Sequence, residues 1–520
     1  MAVETELKLR IDPGQLARLK RHALLKTLQL ARPVARRLQN IYYDTPKLDL
    51  HKSEMALRLR HAGGQWLQTL KGGGSVQAGL HRRNEWEVPV NRAALDFSAT
   101  QEVQWDELLR PSLRKKLQPA FVTDFTRSSR MLKFHGAQIE LCMDQGEVRT
   151  EQHSMPICEL ELELKSGEPG LLFELALEIL EIVPFEMETV SKAEHGYRLL
   201  TGYALHPVKG VAPALAGTDT LADVLAKSIW SCLQHFQDNL PGVMGHGELA
   251  GDDAEYLHQM RVALRRLRVA LRMTEKVRAD PDLAGLYREV SDLCIALGRI
   301  REWDVFIAQT LRPVCARMAG HAGLQALLAA SERQRATSYA ALRSAAQTRE
   351  MQRLLLRFAI WMNGDYWRQA GWQPDSGIVQ QAKEFATRRL RKLAKRFALG
   401  GQQLENAEAA QLHALRIAAK KLRYSAEFFA GLYRKNAAVS YLAALGEVQD
   451  VLGQINDIAV AHRLLDGLAA DADAVQREAN FVEAIPLTRG WNAHDLSNQL
   501  ALLQETIQRF NKQAVFWQKN

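Results

Sequence analysis

Apolar and polar positions alternate with a period of two through most of the first 200 residues, which is the pattern of β-strands. In ETELKLR, residues 4–10, Glu4, Glu6 and Lys8 take every second position, with leucine or threonine between them. Because successive side chains of a strand point to opposite faces, both signs of charge share one face here. The pattern predicts strands at 3–10, 55–60, 65–71, 84–90, 130–135, 138–144 and 157–165.

Helical periodicity appears within this region at 13–26 and 170–182 and dominates the chain from residue 221 onward. Between the two regions, HPVKGVAPALAGTDT (206–220) contains two prolines and two glycines, a composition typical of linkers. Thr220 is a candidate N-cap for a helix that starts near Leu221.

The helical region contains an internal repeat. LHQMRVALRRLR (257–268) aligns with LHALRIAAKKLR (412–423), and LGRIREWDV (297–305) aligns with LGQINDIAV (452–460). Both pairs share an offset of 155 residues without a gap, and two matches at one offset indicate duplication of a helical unit.

These patterns predict an α+β protein. We expect an N-terminal antiparallel β-barrel (a tunnel) with flanking helices over 1–202 and a linker over 203–220. An all-α duplicated helical bundle is expected over 221–515. A chain of 520 residues exceeds a single hydrophobic core, which agrees with two domains.

Composition is that of a globular protein, with 47% hydrophobic and 24% charged residues. No apolar run is long enough to span a membrane and no signal peptide is visible, so we expect a cytoplasmic protein without a membrane partner. The five cysteines are scattered and show no metal-binding spacing, which favours reduced thiols. The net charge is +9 and the first 200 residues are nearly neutral, so the helical region carries the excess and predicts a polyanionic partner there.

The charged strand faces allow two interpretations. Any one strand is explained by an antiparallel sheet with one solvated face. The set favours a ligand, because carboxylates repeat at i, i+2 in some strands and arginine or lysine in others. Carboxylates suit hard divalent cations, whereas arginine and lysine suit phosphate oxygens. A barrel that is charged inside and apolar outside would hold a metal-bound polyphosphate.

The spacing Glu4-x-Glu6-x-Lys8 resembles the ExExK signature of CYTH proteins, the triphosphate tunnel metalloenzymes, and the resemblance extends over roughly residues 1–202. It implies a metal site for one or two Mg²⁺ (or Mn²⁺) ions formed by Glu4, Glu6, Asp144, Glu159 and Glu161. It implies a substrate site formed by Arg58, Arg60, Lys71, Glu85, Glu87, Arg127 and Lys192. Lys8 would lie near the scissile phosphoryl group as the catalytic residue, where it would orient or deprotonate water.

In the first repeat, His258, Arg261, Arg265 and Arg268 form one stripe of a helix beside an apolar stripe. A solvated basic face explains one such helix, but the second copy repeats the stripe. The repeat resembles the CHAD domain over roughly 220–510, which implies a basic groove that binds inorganic polyphosphate. The matching positions are His258, Arg261, Arg265, Arg266, Arg268, His413, Arg416, Lys420, Lys421 and Arg423. The second copy departs from the first at Ala459, where the first has Asp304.

Together the two resemblances imply an inorganic triphosphatase: metal-dependent hydrolysis of inorganic triphosphate to diphosphate and phosphate, with a helical domain that binds polyphosphate. A non-catalytic protein that binds polyphosphate or nucleic acid is the first alternative, although nucleic acid is the less favoured ligand. The second alternative is a hydrolase or cyclase of an organic triphosphate, such as thiamine triphosphate or ATP.

Overall fold

The structure is a computed structural model that describes residues 2–98, 109–245, 253–368, 378–402, 404, 407–470 and 479–518. The chain forms two compact units. The first contains Met1–Leu205 and Ala345–Tyr366, and the second contains His206–Ser344 and Trp367–Asn520. Both predicted architectures are confirmed: the first unit is built on an antiparallel barrel and the second is helical.

Nine strands form the sheet of the first unit. They are β1 (Ala2–Arg10), β2 (Val34–Asp44), β3 (Met55–Ala62), β4 (Gln65–Gln77), β5 (Leu80–Val90), β6 (Gln118–Phe134), β7 (Ala137–Arg149), β8 (Ser154–Ser166) and the short β9 (Glu186–Met187). The order is β5-β4-β3-β2-β6-β7-β8-β1-β9, and β1 also pairs with β5, so the first eight strands close into a barrel. Closure leaves strands β1–β8 without a free edge.

The observed strands extend the predicted ones, and β2 is an additional strand that the alternation pattern did not indicate. Its inward positions include Asn40 and Tyr42, which are neutral, so β2 lacks the charged alternation of its neighbours.

Helices cover much of the outside of the barrel, as the apolar outer positions require. They are α1 (Pro13–Arg21), α2 (Ala23–Leu28), α3 (Asp49–Lys52), α4 (Pro111–Arg114) and α5 (Gly170–Ile182), whereas α6 (Lys192–Thr201) packs against side chains of the inner face. Leu7 and Leu9 of β1 and Leu160 of β8 are completely buried, and α5 packs on these two strands with its own buried leucines. The predicted helix at 170–182 is therefore confirmed, and the helical segment predicted at 13–26 is divided at His22 into α1 and α2.

Helix α6 packs on β6 and β7 and supplies side chains to an apolar cluster with Tyr42, Phe121 and Phe125. Gly196 permits this close approach, since a Cβ at this position would lie 2.1 Å from the Phe121 ring. Ser191 caps the helix by accepting a hydrogen bond from the backbone N–H of Glu194, which fixes the position of Lys192 at its first turn.

One helix of the first unit comes from the middle of the C-terminal half of the chain. Helix α12 (Ala345–Asn363) packs on α5, and Arg349 and Arg353 form ion pairs with Glu181 at 3.1 and 2.7 Å. Gln352 Oε1 accepts a hydrogen bond from the backbone N–H of Met187 in β9 at 3.0 Å. The sequence pattern did not indicate that a helix from the C-terminal half of the chain belongs to the first unit.

The second unit contains the remaining long helices. They are α7 (Leu221–Met244), α8 (Asp253–Val277), α9 (Pro281–Val305), a π-helical turn (Phe306–Leu311), α10 (Arg312–Arg317), α11 (Ala322–Leu342), α14 (Ile378–Gly400), α15 (Ala409–Phe429), α16 (Lys435–Ala470) and α17 (Ala484–Asn511), whereas the short α13 (Asp365–Arg368) follows α12. Thr220 caps α7 as expected. The first repeated sequence lies in α8 and its copy in α15, and these two helices are in contact.

The segment predicted to be a linker packs against the second unit over much of its length. The backbone N–H of Val208 donates to Asn239 Oδ1 at 2.9 Å, and Arg266 donates to the carbonyl of Val211 at 2.9 Å. All five cysteines are free thiols, as expected. Within the described part of the chain, no helix combines the length and apolar character needed to cross a membrane.

Candidate active site and basic groove

Three carboxylates form a buried cluster on the inner face of the barrel. Asp144 on β7 lies opposite Glu159 on β8, and Glu161 follows two positions later on the same face. Each of the three supplies an oxygen within 4.8 Å of the other two, and all three side chains are buried. We call Asp144, Glu159 and Glu161 the acidic cluster. Its three hard oxygen ligands fit a divalent cation such as Mg²⁺.

Lys192 contacts the whole acidic cluster. Its Nζ lies 2.7 Å from Asp144 Oδ2 and 2.9 Å from Glu161 Oε1, and it also pairs with Glu159. Burial alone would lower the pKa of Lys192, but these carboxylates outweigh burial and raise it well above its usual range. A cation that uses the same oxygens would therefore compete with this ammonium group.

The acidic cluster contains one carboxyl group that titrates near neutral pH. Burial raises the pKa of Glu159 to about 7, with Glu161 adding to the effect against the opposing charge of Lys192. The pKa of Glu161 is instead well below its usual range, because Lys192, Lys8 and Arg127 outweigh its burial. A bound cation would compete with the Glu159 proton.

Lys8 and Glu6 on β1 form an ion pair beside this cluster. Lys8 Nζ lies 2.9 Å from Glu6 Oε1 and also pairs with Glu161. Burial disfavours the charged form of Lys8, but Glu161 and Glu6 raise its pKa above the usual range. Burial likewise disfavours the charged form of Glu6, but Lys8 lowers its pKa to about 2. Both groups are therefore ionised at neutral pH.

A second ionic group lies where β1, β4 and β5 meet. Glu4 pairs with Lys71, and Lys71 Nζ also lies 3.2 Å from Glu85 Oε1. Glu87 accepts a hydrogen bond from the Thr69 hydroxyl at 2.8 Å. Glu4 and Glu6 thus face the same interior as the acidic cluster but lie outside the group of three whose oxygens are close enough to share one ion.

Three arginines of β3 and β6 lie in the barrel interior, and one of them, Arg127, contacts the acidic cluster. Arg127 donates to both oxygens of Asp144, at 2.8 and 2.7 Å, and also pairs with Glu161. Arg58 lies 3.6 Å from Glu85. Arg60 donates to Asn40 Oδ1 at 2.8 Å, and among the described residues no carboxylate forms an ion pair with it. We call Arg58, Arg60 and Arg127 the arginine cluster.

Arg60 is the least compensated cation of the arginine cluster. Burial, together with the positive charges of Arg58 and Arg127, lowers the pKa of its guanidinium to about 10. A buried cation whose nearest charges are also positive is stabilised when an anion binds. This property points to an anion site at Arg60.

The barrel therefore brings together the predicted tunnel residues, and ion pairs link its cations to its carboxylates. Most cations form ion pairs with neighbouring carboxylates, and Arg127 and Lys192 bridge between strands. Sequence reasoning missed Asn40 and Tyr42, which lie beside Arg60 and Arg58 in the strand register. Both residues are uncharged and therefore gave no signal in the charge pattern. Trp86 packs against an apolar cluster that contains Leu57 and Leu70.

The second unit contains a basic groove, a cavity of about 990 Å³. Eight of the predicted polyphosphate-binding residues line it: His258, Arg261, Arg265, Arg266, His413, Arg416, Lys420 and Arg423. Arg268 and Lys421 are not among the lining residues. Helices α8 and α15 thus direct most of their repeated basic stripes toward one cavity, the kind of groove that the CHAD resemblance implied.

The cations of the groove depress one another's pKa values. Burial, then the charges of Arg265 and Arg416, lower the pKa of Lys420 to about 6. Burial and the neighbouring arginines lower the pKa of His258 to about 4, so its imidazole is neutral at pH 7. The same causes lower the pKa of Arg261 to about 10. An anion in the groove would favour the charged form of each group and raise its pKa.

Other residues contribute to the groove wall without a signal in the repeated stripes. Arg301 of α9 and Lys209 of the 206–220 segment add cations, and Glu302 and Asp457 add carboxylates. Arg301 lies inside the repeated LGRIREWDV sequence, which could have identified it. Asp304 of the same sequence is buried and accepts hydrogen bonds from Arg335 at 2.6 Å and Tyr339 at 3.0 Å.

Two family models match the chain: the CYTH domain over residues 2–197 and the CHAD domain over residues 227–466. An inorganic triphosphatase from Haemophilus influenzae is 35% identical over 203 residues, which is 38% of this chain and 55% of that protein. The chain thus spans little more than half the length of this relative.

Two solved structures are also similar to parts of the chain. The CHAD domain from the plant Ricinus communis is 30% identical, with a TM-score of 0.47, over 58% of this chain and 96% of that one. A putative adenylyl cyclase from Hippeastrum, described as having a dominant triphosphatase activity, is 19% identical with a TM-score of 0.30. This match covers 39% of this chain and 97% of that one.

Proposed function

We propose that the barrel hydrolyses inorganic triphosphate. The chain belongs to the CYTH family over residues 2–197 and to the CHAD family over residues 227–466. The reaction would depend on a divalent cation, Mg²⁺ or Mn²⁺, and the groove of the second unit would bind inorganic polyphosphate. The similarity to an inorganic triphosphatase supports the choice of substrate.

The observation that carries this proposal is the contact between the acidic cluster and the arginine cluster. Arg127 belongs to the arginine cluster and forms ion pairs with Asp144 and Glu161. A metal held by the carboxylates would therefore lie next to cations that bind phosphoryl oxygens. Metal-bound triphosphate is a ligand that needs carboxylates for the metal ion and adjacent cations for the phosphoryl oxygens.

The arginine cluster would hold the triphosphate. Guanidinium groups bind phosphate oxygens through paired N–H donors, and Arg60 has the weakest charge compensation among them. Lys71 and Lys192 would add further donors. Lys192 would exchange its carboxylate partners for phosphoryl oxygens once a metal ion neutralised the acidic cluster.

Hydrolysis needs a water oxygen to bond to the terminal phosphorus while the bridging P–O bond breaks, so that phosphate and diphosphate leave. A bound divalent cation would supply electrostatic stabilisation of the developing negative charge. Lys8 has a raised pKa and remains an ammonium group, so we assign it the role of a donor to the reacting phosphoryl group rather than that of a base. The water proton would pass to solvent.

Phosphate release from tripolyphosphate by the full chain, with and without Mg²⁺ or Mn²⁺, tests the proposal. We expect release only with a divalent cation and its loss in the double variant Glu159→Gln/Glu161→Gln. ATP and thiamine triphosphate in parallel reactions test the specificity. Equal release by the double variant would contradict the proposed site, and a preference for an organic triphosphate would contradict the proposed substrate.

A further inference from the structure

Seven cations of the second unit form another group that is distinct from the wall of the basic groove. They lie on three helices, and none of them is among the residues that line the cavity. We call this group the outer basic cluster: Arg268, Arg272 and Lys276 on α8, Arg389, Lys392 and Arg396 on α14, and Lys421 on α15.

The seven side chains lie on adjoining helices, because α15 packs on both α8 and α14. The charge of Arg389, followed by burial and the charges of Lys392 and Lys421, lowers the pKa of Lys276. Burial, followed by the charge of Arg396, lowers the pKa of Lys421. The cluster therefore spans the three helices as one region of positive potential.

Carboxylates compensate little of this charge. Arg272 pairs with Glu275 at 2.6 Å, whereas no described carboxylate forms an ion pair with Lys276, Lys392 or Lys421. Arg389 has a buried Nε without a hydrogen-bond partner within the described residues. Like charges held close together destabilise the folded protein. A cluster of seven neighbouring cations is therefore expected to bind an anionic ligand.

Tyr287 of α9 lies within the cluster and orients two of its arginines. Arg268 donates to the Tyr287 hydroxyl at 3.4 Å, and the guanidinium carbon of Arg272 lies 4.0 Å from the centre of the Tyr287 ring. A cation stacked on an aromatic ring keeps its N–H donors free at the edge of the guanidinium plane.

The outer basic cluster continues the stripe of the groove along α8. Arg261 and Arg265 line the cavity, and Arg268, Arg272 and Lys276 follow at spacings of three and four residues. Residues at these spacings share one face of a helix. The fifteen residue-to-residue steps from Arg261 to Lys276 span about 22 Å of helix at 1.5 Å per step.

We propose that the outer basic cluster is a second polyanion-binding site that engages linear polyphosphate chains too long for the groove alone. This inference rests on the proposed binding of polyphosphate in the groove. A long chain would occupy both sites, and because the second contact is intramolecular, affinity would rise with chain length. A short chain would bind in the groove only.

Binding of two probes to the full-length protein tests the inference. The short probe is a linear oligophosphate with an extended length below about 22 Å, and the long probe is a polyphosphate several times that length. The test variant is Lys392→Gln/Arg396→Gln/Lys421→Gln, whose three cations are exposed. The control Arg312→Gln/Arg317→Gln/Arg333→Gln removes the same charge from exposed positions of α10 and α11, which pack elsewhere in the second unit.

We expect the test variant to bind the long probe about tenfold or more weakly, with a salt-dependence slope smaller by about 2 to 3. Its affinity for the short probe should remain within about twofold of the parent's, and the control should bind both probes like the parent. Equal loss for both lengths, or no loss for either, would overturn the inference. Loss of RNA binding without loss of long-chain polyphosphate binding would overturn the assigned ligand.

Failure of this inference can be distinguished from failure of the proposed function. If neither probe binds the parent protein, polyphosphate binding by the second unit is refuted together with the inference. If the short probe binds but the test variant retains full affinity for the long probe, only the second site is refuted.

Discussion

The barrel and the groove are both rich in arginine and lysine, but they compensate this charge differently. In the barrel, Lys8 and Lys192 have raised pKa values because carboxylates surround them. In the groove, Lys420 and Arg261 have lowered pKa values because they are buried beside other cations. The interleaved positive and negative charges of the barrel suit an anion that binds together with a metal ion. The uncompensated cations of the groove suit an anion that binds without one.

The contrast has a consequence for stability. An ion pair in the barrel is part of the folded structure, so removing one partner leaves a buried charge unpaired. Arg261, Arg265 and Lys420 in the groove repel one another, so removing one of them relieves this repulsion and costs only ligand affinity. Function and stability should therefore change together in most of the barrel and separately in the groove.

The largest effect should follow from the acidic cluster. Glu159→Gln or Glu161→Gln removes a negative oxygen that a divalent cation would use, and we expect kcat for tripolyphosphate to fall about 100-fold or more. The measurement is phosphate release at saturating metal. Glu147→Gln on β7 provides the control. Glu147 pairs with Arg149 at 3.2 Å and is not part of the acidic cluster, so this substitution should leave kcat unchanged.

Two arginines of one cluster should behave differently. Arg60→Met and Arg127→Met should each raise KM about 10- to 100-fold, because each removes a charged hydrogen-bond donor. Arg127→Met should also lower the free energy of unfolding by about 3 kcal/mol, because Asp144 and Glu161 each lose one of their ion-pair partners.

Arg60→Met should leave the free energy of unfolding unchanged or higher, since no described carboxylate pairs with Arg60. Chemical denaturation of both variants, without substrate, measures the difference. If both variants are destabilised equally, the distinction between compensated and uncompensated cations of the barrel is wrong.

Single cations of the groove should have a smaller effect, confined to polyanion binding. Arg265→Gln or Arg416→Gln should weaken polyphosphate binding about tenfold and reduce the salt-dependence slope by about 1. Tripolyphosphate hydrolysis should remain at the parent rate. Titrations at several salt concentrations provide the measurement, with Arg317→Gln as the control for loss of a surface charge.

The smallest effect should be a pH dependence of polyphosphate binding. Lys420 has a pKa of about 6 without ligand, and phosphoryl groups favour its charged form, so its pKa rises on binding. Binding at pH 7.5 should therefore take up protons, and affinity should fall as the pH rises above about 6. Calorimetry in buffers of different ionisation enthalpy measures the uptake. Lys420→Arg should abolish it, and unchanged uptake in this variant would assign the proton elsewhere.

The sequence predicted those parts of the fold whose pattern is local. Alternation located most of the strands, and the shared offset related α8 to α15. Strand β2 was missed because its inward Asn40 and Tyr42 are neutral, so its two faces do not differ in charge. Helix α12 was missed as part of the first unit because its partner, α5, is distant in sequence.

The same limit applies to the candidate sites. The sequence identified the charged residues of the barrel, but it could not show which ones pair, because pairing depends on strand register. Lys192 lies among the carboxylates of Asp144, Glu159 and Glu161 because it is the first residue of α6, and this helix begins beside them. Arg268 and Lys421 match the repeated pattern but lie outside the cavity, which only helix packing determines.

The central claim is that Asp144, Glu159 and Glu161 hold a divalent cation beside the arginine cluster. Titration of Mn²⁺ into the full-length protein, followed by electron paramagnetic resonance, tests it most directly. The account predicts a bound-Mn²⁺ signal that strengthens as the pH rises through about 7, where Glu159 loses its proton, and that Glu159→Gln/Glu161→Gln removes. A signal that is unchanged in the double variant would contradict the account.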